Sequence, residues 1–173
     1  FNAAGDRLAS ASNDFTARLW DGASGQPIPY HVFRGHTQYV FALAFAPSGQ
    51  WLVTSCGINA VGDPSVRLWD LKPRPTRTLA DHSEPVRRAV FSPNGELIAT
   101  AALDGAIRFW NSGTLALVPE LDFVHHDSAV YSVAFDPSGS RVVTASADGS
   151  ARIWDLTSRQ RIELTDHDGR VTY

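Results

Sequence analysis

The sequence predicts an all-β chain in which small four-stranded antiparallel sheets stack side by side as the blades of a β-propeller, on three observations. The first is a repeat: AFAPSGQWLVTS (44–55), VFSPNGELIATA (90–101) and AFDPSGSRVVTA (134–145) are copies of one phrase, and FNAAGDRLASAS (1–12) is a copy without its start. Their phenylalanines, Phe1, Phe45, Phe91 and Phe135, recur about every 44 residues, a spacing in the range of stacked repeat architectures. The second is a tryptophan landmark after each copy, in FTARLWD, SVRLWD, AIRFWN and SARIWD, at Trp20, Trp69, Trp110 and Trp154. The third is a histidine ahead of each copy, at His36, His82, His126 and, opening a further unit, His167.

Within a unit the elements follow in order. The innermost strand, as in VFALAF (40–45), is apolar on both alternating faces, as befits a strand covered by a neighbour on each side. A PSGQ or PNGE turn ends it. The second strand, such as LIATA (97–101), runs to an Asp-Gly turn, and the third ends in the tryptophan. The last strand alternates polar with apolar, as in Arg161, Ile162, Glu163 and Leu164, which suits an outer edge. A single such sheet has two apolar faces and cannot bury both alone, so copies must stack face to face.

The period, the histidine and the Trp-Asp pair resemble the WD-repeat (WD40) β-propeller family over the entire chain. Departures stand at Asp81, His125 and Asp166, where that family has glycine before histidine, and at Asn111 in place of the aspartate. The resemblance implies these segments: 1–33, an incomplete first blade of three strands; blades at 34–79, 80–123 and 124–164; and the start of a further blade at 165–173.

Three units place Ser/Thr, His and Asp at repeated offsets, which raises a hydrolase reading. Aspartate follows histidine by 22 residues in His82–Asp104 and His126–Asp148, and by 27 in His36–Asp63. Thr54, Thr100 and Thr144 precede those aspartates, and the first copy retains Ser10, Asp14 and Trp20. The family resemblance implies a different role: a buried chain from Trp N–H to Thr hydroxyl to His to Asp that locks each blade. The sets are then His36/Thr54/Asp63/Trp69, His82/Thr100/Asp104/Trp110 and His126/Thr144/Asp148/Trp154. A nucleophile needs exposure beside an oxyanion site, whereas repetition in every copy argues for scaffold.

Composition excludes other classes. At 43% apolar and 19% charged, the chain is globular rather than disordered. No apolar run is long enough to span a membrane. A net charge of −3 gives no general attraction for nucleic acid. The one cysteine, Cys56, forms no internal disulfide and fits a cytoplasmic, reducing compartment. Neither a metal nor a cofactor is expected, because His125 and His126 are adjacent and point apart in an extended strand. Fourteen Arg against one Lys suggest a GC-rich, bacterial source, and a chain opening on Phe1 without any Met suggests an excerpt or a processed product.

The resemblance implies that partners dock on the rim carrying the histidine loops and Asp turns. Three and five residues past each histidine lie Tyr39 and Phe41, Pro85 and Arg87, Ala129 and Tyr131, and Arg170 and Thr172; the Asp turns add Asn13, Gly62, Leu103 and Ala147. Tyr39, Phe41, Pro85, Arg87, Leu103 and Tyr131 form the expected partner-binding rim, Tyr and Arg being the types that dominate interface energy. Phe41 and Tyr131 have an alternative role in packing around the channel. The insertion CGINAVG (56–62) lengthens this rim. The function expected is a non-catalytic protein–protein scaffold or sensor module, as within a larger signalling protein. The alternatives are nucleic-acid binding through KPRPTR (72–77) with Arg87 and Arg88, and a propeller enzyme. Left open, the stack exposes apolar blade faces, so the isolated segment is expected to self-associate unless Val171 pairs near Leu8 to close a four-bladed ring.

Overall fold

The computed structural model describes residues 1–57, 65–71, 77–79, 81–122, 124–165 and 167–172. The first blade contains β1 (Arg7–Ala11), β2 (Ala17–Asp21) and β3 (Pro27–Phe33); the second contains β4 (Val40–Phe45), β5 (Trp51–Cys56), β6 (Val66–Asp70) and β7 (Arg77–Leu79). The third contains β8 (Val86–Phe91), β9 (Leu97–Ala102) and β10 (Ile107–Asn111); the fourth contains β11 (Val130–Phe135), β12 (Arg141–Ser146), β13 (Ala151–Asp155) and β14 (Arg161–Leu164). Every sheet is antiparallel, with strands ordered as in the sequence.

Successive residues of a strand point to opposite faces, and here that alternation feeds two separate cores. Leu52 joins Trp69, Leu19 and Phe33 between the first and second blades, while its neighbour Val53 joins Leu68, Ile98 and Trp110 between the second and third. Ala99, Phe109 and Val124 then meet Val133, Val142 and Trp154 between the third and fourth. From the second blade on, Trp69, Trp110 and Trp154 therefore face the preceding blade. The turns after the innermost strands place Gly5, Gly49, Gly95 and Gly139 at φ 67–75°, in the left-handed region where glycine carries no Cβ penalty.

Two features depart from a uniform set of four-stranded blades. In the third blade the outer position holds two isolated bridges, Trp110–Leu117 and Ala106–His125, with a short 3-10 turn at Pro119–Leu121 between them. Pro119 has no N–H to give a ladder, which breaks the edge strand. The innermost strands β4, β8 and β11 each carry a bulge, at Val40/Ala42, Val86/Arg88 and Val130/Ser132.

The far face of the fourth blade is open. Val143 is 42% exposed and Ile162 61%, whereas Ala99 and Phe109, the positions matching Val143 and Ile153 one blade earlier, are 0% and 1% exposed. Among the described residues the only strand paired with β1 is β2, so the pairing near Leu8 that would close a four-bladed ring is not made. Val171 instead donates its N–H to Ser146 O at 2.9 Å, on the fourth blade.

Candidate functional site: the repeated polar sets and the rim above them

In the third blade, Trp110 Nε1–H donates to Thr100 Oγ1 at 3.0 Å, and His82 Nε2 lies 2.7 Å from the same oxygen. His82 Nδ1 lies 3.0 Å from Asp104 Oδ2. A carboxylate only accepts, so Nδ1 carries the proton and Nε2 accepts from the Thr100 hydroxyl. Asp104 in turn accepts from Ser83 N–H at 3.2 Å and Ala106 N–H at 3.0 Å, tying the histidine loop to the β9–β10 turn. Gly105 makes that turn at φ 82°, and a Cβ there would stand 2.8 Å from His126 O.

The fourth blade repeats this: Trp154 to Thr144 at 2.9 Å, His126 to Thr144 at 2.6 Å and to Asp148 at 2.8 Å. Ser150 donates both its N–H and its hydroxyl to Asp148, at 2.9 and 2.7 Å. In the second blade Trp69 and His36 reach Thr54 at 2.8 and 2.7 Å, while Asp63 lies outside the described residues. The first copy shows Trp20 donating to Ser10 at 2.8 Å, with Asp14 accepting from Thr16. Thr54 and Thr100 are 0% exposed and Thr144 1%, so none of these three threonine hydroxyls faces solvent.

Sequence reasoning missed a fifth member. The arginine of each RLW-type phrase stands four residues after the turn aspartate, and Arg108 Nη1 lies 3.0 Å from Asp104 while Arg152 Nη2 lies 3.4 Å from Asp148. Its signal was the recurrence of Arg18, Arg67, Arg108 and Arg152 in the quoted phrases. Arg108 also explains a departure from glycine before histidine, because Asp81 Oδ2 sits 3.3 Å from its Nε. His125 and His126 do point apart: His125 bonds Asp122 O at 2.9 Å and is exposed, whereas His126 is buried.

Burial disfavours the imidazolium and holds His82 and His126 below the ordinary 6.5, against the opposing pull of Asp104 and Asp148. Burial pushes Asp104 and Asp148 up, but hydrogen bonds from His82 and from Ser150 and His126, with further help from Ala106 N–H and Ser150 N–H, outweigh it and leave both carboxyls well below the usual range. The sign follows from linkage: a depressed histidine binds fewer protons folded than unfolded, so its stabilisation is complete above pH 6.5 and is lost as pH falls through the folded value. Thermal midpoints measured between pH 8 and pH 5 should therefore fall on the acid side of about 6.5. A midpoint flat across that interval would show that these imidazoles are not held neutral.

The same end of the stack carries the rim. Arg87 lies over the Phe41 ring at 4.8 Å and the Tyr131 ring at 5.9 Å, and a cleft of about 410 Å³ opens among Phe41, Arg87, Arg88, Tyr131, Arg170 and Thr172. Tyr39 stacks on Phe15 at 5.6 Å and 30°. Phe15 was passed over in the sequence: it holds the position that glycine takes in the later Asp-Gly turns, at φ 68°. Leu103 is partly exposed, and its N–H bonds Pro85 O at 3.0 Å. Pro85 itself is buried beneath Gly57, so its ring supports the rim from below. Cys56 is 0% exposed. Gly62, most of the 56–62 insertion, Asp166 and positions 72–76 of the KPRPTR run lie outside the described residues. Among the described residues no group of three or more His, Cys, Asp or Glu is placed to hold a metal, and no helix is long and apolar enough to cross a membrane.

Comparison with known proteins agrees with this geometry. The chain is similar to the target of rapamycin complex subunit wat1 of Schizosaccharomyces pombe, at 34% identity over 119 residues, 66% of this chain and 36% of that protein. It is 32% identical over 120 residues to nuclear distribution protein nudF 2 of Penicillium rubens, covering 62% of this chain and 26% of the relative. It is 31% identical over 115 residues to a guanine nucleotide-binding protein subunit beta of Oryza sativa subsp. indica, covering 62% and 29%. The chain thus spans about a quarter to a third of these relatives, which are fungal and plant proteins and lend no support to a bacterial source. The family described as "WD domain, G-beta repeat" matches residues 1–21, 28–70, 73–111 and 118–155, one match for each blade, and the chain belongs to it.

Proposed function

We propose that this chain is a non-catalytic scaffold whose blades are locked by the His–Thr–Trp–Asp sets and whose rim docks other proteins or peptides. The observation that carries the reading is the division between the two layers. The Thr100 and Thr144 hydroxyls are buried and spent on Trp and His, leaving no exposed nucleophile in those sets. Directly above them Tyr39, Phe41, Arg87, Leu103 and Tyr131 stay wholly or partly exposed at one end of the stack. Aromatic and arginine side chains on a rigid sheet are what protein interfaces use as anchors. Two relatives are named as subunits, one of a complex and one of a nucleotide-binding protein, in keeping with a role in assemblies.

The test is affinity capture by the full chain from cells that express it. Tyr39→Ala should release the partners captured by the parent, a loss of about 2 kcal/mol or more for an anchoring aromatic. Ser48→Ala, on the turns at the opposite end of the blades, should retain them. Retention by Tyr39→Ala and Leu103→Ala together, with loss in Ser48→Ala, would move the interface off this rim.

A further inference from the structure

The cleft is built from equivalent positions of successive blades. Phe41, Arg87, Tyr131 and Thr172 each stand five residues after a histidine, so stacking the blades sets them side by side. Neighbours in a regular strand point to opposite faces, yet Arg87 and Arg88 both line the cleft. The bulge at Val86/Arg88 turns them to the same side. Arg170, exposed on the segment opening the next unit, supplies a third cation.

Two other arginines of the third and fourth blades have carboxylates. Arg108 has Asp104 and Asp81, and Arg152 has Asp148 and Glu163 at 3.4 and 2.8 Å. Arg87 is different: its guanidinium rests on two rings, and its Nη1 is buried without a hydrogen-bond partner among the described residues. A buried donor left unmatched is costly, so the site is poised for an acceptor. Among the described residues no Asp or Glu lines the cleft, although the chain as a whole carries a net charge of −3.

We propose that this cleft takes an acidic peptide segment, seating a Glu or Asp carboxylate against Arg87, Arg88 and Arg170 with Phe41 and Tyr131 as its apolar walls. The inference rests on the docking reading of the same rim and gives its partner a chemistry. Arginine presents a planar fork that matches a carboxylate in two parallel hydrogen bonds. The aromatic rings hold that fork in place before binding, so less side-chain freedom is lost. A cleft of about 410 Å³ fits side chains of a peptide rather than a polymer groove. Both rings already carry the Arg87 guanidinium on one face, which leaves less ring surface for stacking bases than an open aromatic platform offers.

Fluorescence anisotropy of labelled hexaglutamate with the purified full chain tests this, with hexalysine and an oligothymidylate of matching charge as comparisons. Saturable binding of hexaglutamate alone is expected, weakened about tenfold or more in Arg87→Gln and in Arg170→Gln. The melting temperature of Arg170→Gln should stay at the parent value, since that side chain is exposed, and it serves as the probe if Arg87→Gln folds poorly. Absence of saturation, equal affinity in the parent and in a folded Arg170→Gln variant, or tighter oligothymidylate binding that the same substitutions abolish would overturn the proposal. If hexaglutamate fails while Tyr39→Ala still loses captured partners, only the acidic-peptide assignment falls. If hexaglutamate binds through the arginines while capture ignores Tyr39→Ala, the broader docking reading falls instead.

Discussion

Phe109→Ala is expected to destabilise the chain by about 3–5 kcal/mol, the range for emptying a large aromatic from a closed core. Phe109 is 1% exposed and lies in the core between the third and fourth blades, its ring edge-on to Phe135 at 6.1 Å and 74°. The ladders run within each sheet, so the blades meet mainly through such side chains, with a few backbone bonds such as Val40 N–H to Ser12 O and His126 N–H to Gly105 O. The cavity would therefore loosen one inter-blade contact rather than one sheet. Ile153, the matching position one blade later, faces the open end, and Ile153→Ala should cost markedly less. Urea unfolding of the two variants checks the contrast. Equal losses would mean that the fourth blade's far face is covered in solution, as self-association would cover it.

The second large effect is expected from Asp104→Ala, at about 1–3 kcal/mol. Removing the carboxylate strips an acceptor from His82 Nδ1–H, Ser83 N–H, Ala106 N–H and Arg108 at once. His82 is buried and cannot recover its partner from water, whereas Arg108 retains Asp81. Asp104→Asn keeps an acceptor and should lose less. An Asp104→Ala variant as stable as the parent would mean that the loop and turn are held by something other than this carboxylate.

Much of this was legible in the sequence because each unit repeats its chemistry. The strand order, the turn glycines and the sets centred on Thr100 and Thr144 follow from phrases that recur with one period. What escaped was whatever occurs once or depends on contacts across the chain. Pro119 breaks the outer strand of the third blade, an effect of a missing N–H that the repeat pattern conceals. Pro85 counts onto the rim by offset from His82, yet its ring is covered by Gly57 from another blade. Phe15 takes a left-handed backbone that the third and fourth blades give to Gly105 and Gly149, and its stack on Tyr39 joins two blades. Arg108 and Arg152 were visible as a repeated letter, but their carboxylate partners emerge only when turn and strand are folded together.

The most direct measurement of the division between locked blades and a binding rim is a crossed comparison of Thr100→Val with Tyr39→Ala, reading melting temperature and partner capture on both. Valine keeps the volume of Thr100 but leaves Trp110 Nε1–H without an acceptor and His82 Nε2 without a donor. A loss of about 1–3 kcal/mol follows from two unmet buried groups, which in a chain of this size lowers the midpoint by several degrees. The account predicts that Thr100→Val melts early yet, well below its midpoint, captures the same partners as the parent. It predicts that Tyr39→Ala, which loses only the stack on Phe15, melts closer to the parent than Thr100→Val does and captures them poorly. Thr100→Val melting like the parent while losing a function would contradict the account, because the hydroxyl would then be serving chemistry rather than structure.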